Sequence, residues 1–137
     1  MMADPACLEH IALTYIDALL TADDSKVPLS ADVKRAHLMV LPGAPYVWQM
    51  AKGAETIRAD IRRERLTACC GLRVTVDTER STVVVLWESA MDYEGARAIA
   101  IMDRFTIRDG LITEIEIISI PQNEPFECIP YPGWPEG

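Results

Sequence analysis

The chain has 137 residues, 50% of them hydrophobic and 25% charged, with 21 acidic against 13 basic side chains and a formal net charge of -8. That length suits a single domain with a core of useful size, and the composition is that of a globular chain rather than a disordered or fibrous one. The acidic balance argues against nucleic acid and anionic membrane surfaces as partners, because polyanions are bound by clustered Lys and Arg, and no apolar run reaches the roughly 18 residues a membrane helix needs.

The first predicted element is a helix. Asp4 can cap it, Pro5 suits its first position, and Leu8, Ile11, Ala12, Tyr15, Ile16, Leu19 and Leu20 recur at spacings that make one apolar face. "TADDSKVP" ends it. "PLSADVKRAHLMV" reads as a short helical turn leading into a strand over about residues 34–40, which "LPGAPY" breaks with two prolines and a glycine. A second amphipathic helix is expected from about Ala54 to Arg65, with Ala54, Ile57 and Ile61 as its stripe. The densest basic run, "RADIRRER" at 58–65, lies on this helix, is diluted by acids and reads as a solvated face.

From residue 68 the period changes to two. "LRVTVDTERSTVVVLWES" predicts strands over 71–77 and 82–90, "RAIAIMDRFTIRDG" predicts another, and "LITEIEIISI" the last. Asp109-Gly110 is the strongest hairpin signal, since a primed turn needs the positive φ that Gly supplies freely. The tail "PQNEPFECIPYPGWPEG" holds five prolines and cannot extend the sheet as a central strand. Its Phe126, Ile129, Tyr131 and Trp134 are expected to pack along a surface groove or a partner subunit. The expected organisation is one domain over 1–120 and a Pro-rich tail over 121–137.

Cysteines stand at 7, 69, 70 and 128, without the C-x-x-C spacing of zinc or redox sites, and the two histidines, His10 and His37, fall on different elements. No metal site is expected. Acid at Asp4 and no basic segment before an apolar stretch argue against a secretory signal, so the expected location is cytoplasmic and the cysteines are expected to be buried or semi-buried free thiols. Glycine-rich phosphate loops and the Ser nucleophile elbow are absent from the sequence, which makes chemistry without a cofactor the default expectation.

Helices followed by a strongly curved antiparallel sheet make a cone-like α+β body, with the first helix over the concave face. Three polar residues look misplaced for such a core. Asp103 shares its strand face with Ile99, Ile101, Phe105 and Ile107, and an ionised carboxylate there must be paired, hydrogen-bonded or protonated. An ion pair with Arg35 or Arg73, or a place at an open rim, would also account for it. Tyr15 lies in the helix stripe, where a semi-buried tyrosine with its hydroxyl on a polar partner is ordinary. His37 shares a face with Val33, Met39 and Leu41, as a satisfied core histidine also would.

The order "TYIDALLTAD … PLSADVKRAH … W … MDRFTIRDGLITEIEI" resembles the nuclear transport factor 2-like superfamily over roughly residues 5 to 120, and within it the ketosteroid isomerases and polyketide cyclase-like (SnoaL-like) proteins. The resemblance implies the cone-shaped α+β fold with a curved antiparallel or mixed sheet. It also implies that Tyr15 and Asp103 donate hydrogen bonds to a developing oxyanion, the Asp being held neutral by its apolar environment as in the ketosteroid isomerases. His37 replaces the carboxylate base of the isomerases, a substitution that keeps proton abstraction but not steroid specificity. Trp48, Trp87 and Phe105 are candidate wall aromatics, joined by Met39, Ile101 and Ile117. The leading expectation is a cofactor-independent isomerase or lyase acting on a small, mostly apolar carbonyl or hydroxy compound, in a homodimer. The alternatives are a non-catalytic ligand-binding or dimerisation module, and an epoxide hydrolase or cyclase that would need a second acid, Glu88 or Glu116 in a shifted register, near Asp103.

Overall fold

Asp4 caps the first helix as its position predicts, accepting a hydrogen bond from the Ala6 N–H at 3.2 Å, with Pro5 in the first turn. The computed structural model describes residues 4–40, 46–64, 66–90, 97–133 and 135; Leu41, the Pro42–Gly43 break, Arg65 and Trp134 lie outside them. The elements are α1 (Pro5–Thr21), β1 (Leu29–Met39), β2 (Val47–Lys52), α2 (Ala54–Arg62), β3 (Cys70–Asp77), β4 (Thr82–Ala90), β5 (Arg97–Arg108) and β6 (Leu111–Pro125).

The six strands form one mixed sheet in the order β2-β1-β6-β5-β4-β3, antiparallel except for the parallel pair β1–β6. Both helices pack on the same face. Leu8, Ile11, Tyr15, Ile16 and Leu19 of α1, with Ile57 and Ile61 of α2, meet Val83, Val85, Trp87, Phe105, Ile107, Ile112 and Ile115 from the sheet. Complete burial of each large aliphatic side chain contributes about 1.5–3 kcal/mol, and this layer is the core.

Several boundaries differ from the sequence expectation. No helical turn precedes β1; Leu29 already pairs with Ile112, and the Ile112 N–H donates to the Pro28 carbonyl at 2.7 Å. A bulge between Leu29 and Lys34 breaks the alternation, so that Leu29, Ser30 and Val33 are the buried residues, an i, i+1, i+4 spacing that imitates a helix. β2 has no counterpart in the sequence pattern, being a short and mostly exposed edge strand. α2 stops at Arg62, three residues early. β6 runs on through Pro121 to Pro125, pairing with Ile99 and Arg97 of β5. It can do so because the β1 ladder ends at Met39–Ser119, leaving the proline stretch with a strand partner on one side only.

The free-thiol expectation is corrected by a disulfide between Cys70 and Cys128, with Cα atoms 5.6 Å apart. Only Cys7 and Cys69 are free, and both are exposed rather than buried. The partners are 58 residues apart, so local cysteine spacing carried no hint of the bond. It ties the tail to the start of β3, where the Arg73 guanidinium also sits 4.8 Å from the centre of the Tyr131 ring. Structural disulfides persist in oxidising surroundings, which runs against the cytoplasmic expectation. Among the described residues no helix is long and apolar enough to cross a membrane.

Two of the four cysteines should react with a thiol reagent in denaturant without reductant, and all four after reduction. Four reactive thiols before reduction would show that the bond does not form. The Cys70→Ser/Cys128→Ser variant should lose about 2–4 kcal/mol of stability in a denaturant titration.

Candidate active site

Strand pairing builds the site in rungs across the helix-covered face. Gln49, His37, Ile117, Asp103 and Val85 lie on one rung, from β2 across to β4. Met39, Ser119, Ile101 and Trp87 form the rung on one side, and Arg35, Ile115, Phe105 and Val83 the rung on the other. With about 4.8 Å between neighbouring strands, His37 and Asp103 stand about 10 Å apart at the backbone, with Ile117 between them. α1 lays Tyr15 and Leu19 over these rungs, and the whole encloses a cavity of about 300 Å³.

Tyr15, His37 and Asp103 all line this cavity, together with Met39, Trp87, Ile101 and Ile117. Asp103 is 1% exposed. Its Oδ2 accepts a hydrogen bond from the Trp87 indole N–H at 2.7 Å, and its Oδ1 has no partner among the described residues. The ion-pair account of Asp103 does not hold, since Arg35 pairs with Asp60 at 2.6 Å and Arg73 lies on Tyr131. Burial pushes its pKa up to about 7, against the weaker opposing effect of the Trp87 hydrogen bond. A carboxylic acid whose Oδ2 is held by an N–H carries its proton on Oδ1.

His37 is held by Ser119, with Nε2 and Oγ 2.7 Å apart. Burial, and then the charge of Arg35, lower its pKa from the ordinary histidine value, so the ring is neutral at physiological pH. Tyr15 moves the other way: burial first, and then the neighbouring Asp103, raise its pKa against the opposing charge and hydrogen bond of Arg35, and the hydroxyl stays protonated. Its ring meets Phe105 edge-on, with centroids 5.3 Å apart.

Two expected wall residues are elsewhere. Trp48 is 60% exposed; since His37 pairs with Gln49, alternation puts Gln49 at the cavity and Trp48 on the outer face. Phe105 is wholly buried beneath Tyr15 and lies behind the wall, not on it. Glu88 and Glu116 are on the outer face as well, Glu116 paired with Arg104 at 2.5 Å, so neither supplies a second acid near Asp103. The cavity also holds residues that the sequence expectation did not include: Arg35, Gln49, Asp60, Glu64 and Ser119. Arg35 and Ser119 share strand phase with His37 and Ile117, so the period of two already marked them. Asp60 comes from α2; burial works to raise its pKa, but hydrogen bonds from Arg35 and Arg63 bring it below the usual value. No cluster of three or more His, Cys, Asp or Glu able to hold a metal occurs among the described residues.

The model of a family described as "Domain of unknown function (DUF8021)" matches residues 2–119. No curated protein matches the chain. Among solved structures, the chain is similar to a nuclear transport factor 2-like protein of unknown function from Cytophaga hutchinsonii, at 16% identity over 82% of this chain and 88% of that one, with a TM-score of 0.61. It is similar to a provisionally named isomerase from Bacillus subtilis at 13% identity, covering 83% and 86% of the two chains with a TM-score of 0.66. An LEH-like epoxide hydrolase from M. tuberculosis matches at 15% identity, 85% of each chain and a TM-score of 0.60. These likenesses establish the nuclear transport factor 2-like α+β fold.

The raised pKa of Asp103 links stability to pH. Below its unfolded value of about 3.8 the acid is neutral in both states. As pH rises towards about 7, only the unfolded chain releases the proton, so folding loses free energy, with an upper bound of about 4 kcal/mol, and the loss is complete above that pH. Denaturant titrations of the parent and Asp103→Asn at pH 5 and pH 8 should show this contribution to the pH slope only in the parent. Identical slopes would mean that Asp103 is ionised in the folded protein.

Proposed function

The chain belongs to the family described as Domain of unknown function (DUF8021), and for this member we propose a cofactor-independent acid–base enzyme of the isomerase or lyase type, acting on a small, mostly apolar carbonyl compound in the cavity. The observation that carries the reading is Asp103: a buried carboxyl of the cavity lining, with one oxygen held by Trp87, no partner for the other among the described residues, and Tyr15 and a neutral imidazole in the same lining. A neutral acid in that position is a hydrogen-bond donor suited to an oxyanion.

With the His37 proton on Nε2 and donated to Ser119 Oγ, Nδ1 carries the lone pair. It takes a proton from the carbon beside the substrate carbonyl. The electron pair of that C–H bond moves to the carbonyl oxygen, and the enolate oxygen is held by the hydroxyl of Tyr15 and the Oδ1–H of Asp103. In a β,γ-unsaturated substrate the dienolate takes the proton back at the γ-carbon as its double bond moves into conjugation; in a β-hydroxy substrate the proton goes to the departing β-hydroxyl, which leaves as water and completes an elimination. The isomerase name of the Bacillus subtilis neighbour fits this class. Epoxide opening lacks support from the last strand, whose acids face outwards.

Asp103→Leu should lower kcat by about 10²–10³-fold against an enolisable ketone that the parent turns over, without loss of fold. In the parent, kcat/KM should rise with pH as His37 loses its proton and fall near pH 7 as Asp103 ionises. Asp103→Asn, still a donor, should lose the alkaline limb. A ligand that binds and leaves unchanged, with affinity as the only quantity altered by Tyr15→Phe and Asp103→Asn, would assign the fold to binding instead.

We further propose that two copies pair through the outer sheet face. Trp48, Leu38, Ile118, Met102 and Leu86 make a continuous apolar rung there, and Met50 and Ile120 beside it are exposed. Light scattering should give a dimer for the parent and a monomer for Met102→Glu; a monomeric parent would remove the proposal.

A further inference from the structure

Tyr15 and Arg35 share the cavity lining. Arg35 and Phe105 lie on one rung with Ile115 between them, and the Tyr15 ring rests edge-on against Phe105 at 5.3 Å, so α1 lays the phenol over the rung that bears Arg35. The Arg35 side chain is 11% exposed and is fixed from α2, where Asp60 accepts from its Nη2 at 2.6 Å. The guanidinium also acts on the Tyr15 hydroxyl, by its charge and by a hydrogen bond. Arginine can only donate, so in that bond the phenolic oxygen is the acceptor and the Tyr15 proton stays unused. Asp103 neighbours the same hydroxyl but does not take this proton either: Oδ2 is held by the Trp87 N–H, and Oδ1 has no partner among the described residues.

We propose that Arg35 is the positioning residue of Tyr15: anchored on Asp60, it occupies the hydroxyl oxygen from one side and so turns the phenolic proton to the substrate oxygen. This rests on the reading of Tyr15 and Asp103 as the donors to that oxygen. A phenolic hydrogen lies in the plane of its ring and has two directions open to it, because conjugation of the oxygen with the ring resists rotation out of the plane. An N–H set against one direction leaves the hydrogen the other, and the orientation is in place before charge develops on the substrate. The cation adds to this, since a hydroxyl that accepts a charge-assisted hydrogen bond is polarised into a stronger donor. Asp60 of α2, Arg35 of β1 and Tyr15 of α1 thus form one chain of contacts. Arg35 itself touches no reacting atom, so its effect vanishes with the Tyr15 hydroxyl. Its removal leaves Asp60 paired with Arg63 at 2.8 Å, and the chain can be cut without stranding that carboxylate.

The test follows the exchange of the C2 hydrogens of 1-tetralone for deuterium in D2O by ¹H NMR, a reaction that needs only enolisation of the ketone. Arg35→Met and Arg35→Gln should each lower kcat about tenfold, the worth of one well-made hydrogen bond, with KM kept within about twofold. In a Tyr15→Phe background the same two substitutions should change kcat by less than about twofold, because no hydroxyl is left to orient. Arg35→Gln keeps a polar side chain in the wall and carries the test if Arg35→Met does not fold. Where Tyr15→Phe and Asp103→Leu slow the exchange, an equal loss from the Arg35 substitutions in both backgrounds, a change in KM alone, or no loss in either overturns the positioning role and leaves the two donors standing. If the parent exchanges no faster than Tyr15→Phe and Asp103→Leu, the donor reading itself falls and the role of Arg35 with it.

Discussion

A carboxyl group out of water sets the terms for the rest of the pocket. Charging Asp103 in that setting is costly, and among the described residues one N–H, from Trp87, offsets it. The one arginine of the cavity lining, Arg35, is engaged by Asp60 and by the Tyr15 hydroxyl. The lining thereby carries a neutral acid from β5 and a balanced ion pair from β1 and α2. In a medium of low dielectric such a division gives a bound molecule a fixed orientation, because each end meets a different field.

The fold maintains that division by simple means. Ile117 of the central strand separates His37 from Asp103 on their shared rung, and Ile115 separates Arg35 from Phe105 on the next. Arg35 is steadied from α2 through Asp60, and α2 is in turn anchored by Arg58 to the segment after α1, with hydrogen bonds of 2.7 and 3.0 Å to the carbonyls of Asp24 and Val27. The basic run on this helix is thus less solvated than its composition implies, since Arg58 is part-buried and donates to backbone.

Local pattern in the sequence was enough to locate Asp103, because four large apolar residues share its strand phase and a period of two leaves little freedom of face. The same rule, applied one step further along β1 and β6, reaches Arg35 and Ser119. Where it failed, a longer-range fact decided. The phase of Trp48 could not be assigned until β2 was known to pair with β1, and Phe105 belongs to the right face but is covered by Tyr15. The start of β1 was hidden by its bulge, and the disulfide by the 58 residues between its cysteines. Asp60 reaches the cavity from a helix whose stripe of Ala54, Ile57 and Ile61 is legible in the sequence, but a stripe does not say which flanking polar residue meets a neighbour.

The parallel pairing of β1 with β6 has a consequence for how the pocket comes into being. β3, β4, β5 and β6 follow one another as neighbours, so the Trp87–Asp103 half closes through contacts only 16 residues apart. The His37–Ser119 contact spans 82 residues and exists only once the first strand has docked beside the last. Joining distant segments carries a larger loop-closure entropy than joining near ones. On a ribosome the acid half of the pocket therefore has its partners in quick succession, while the base must wait, already synthesised, for β6 to emerge.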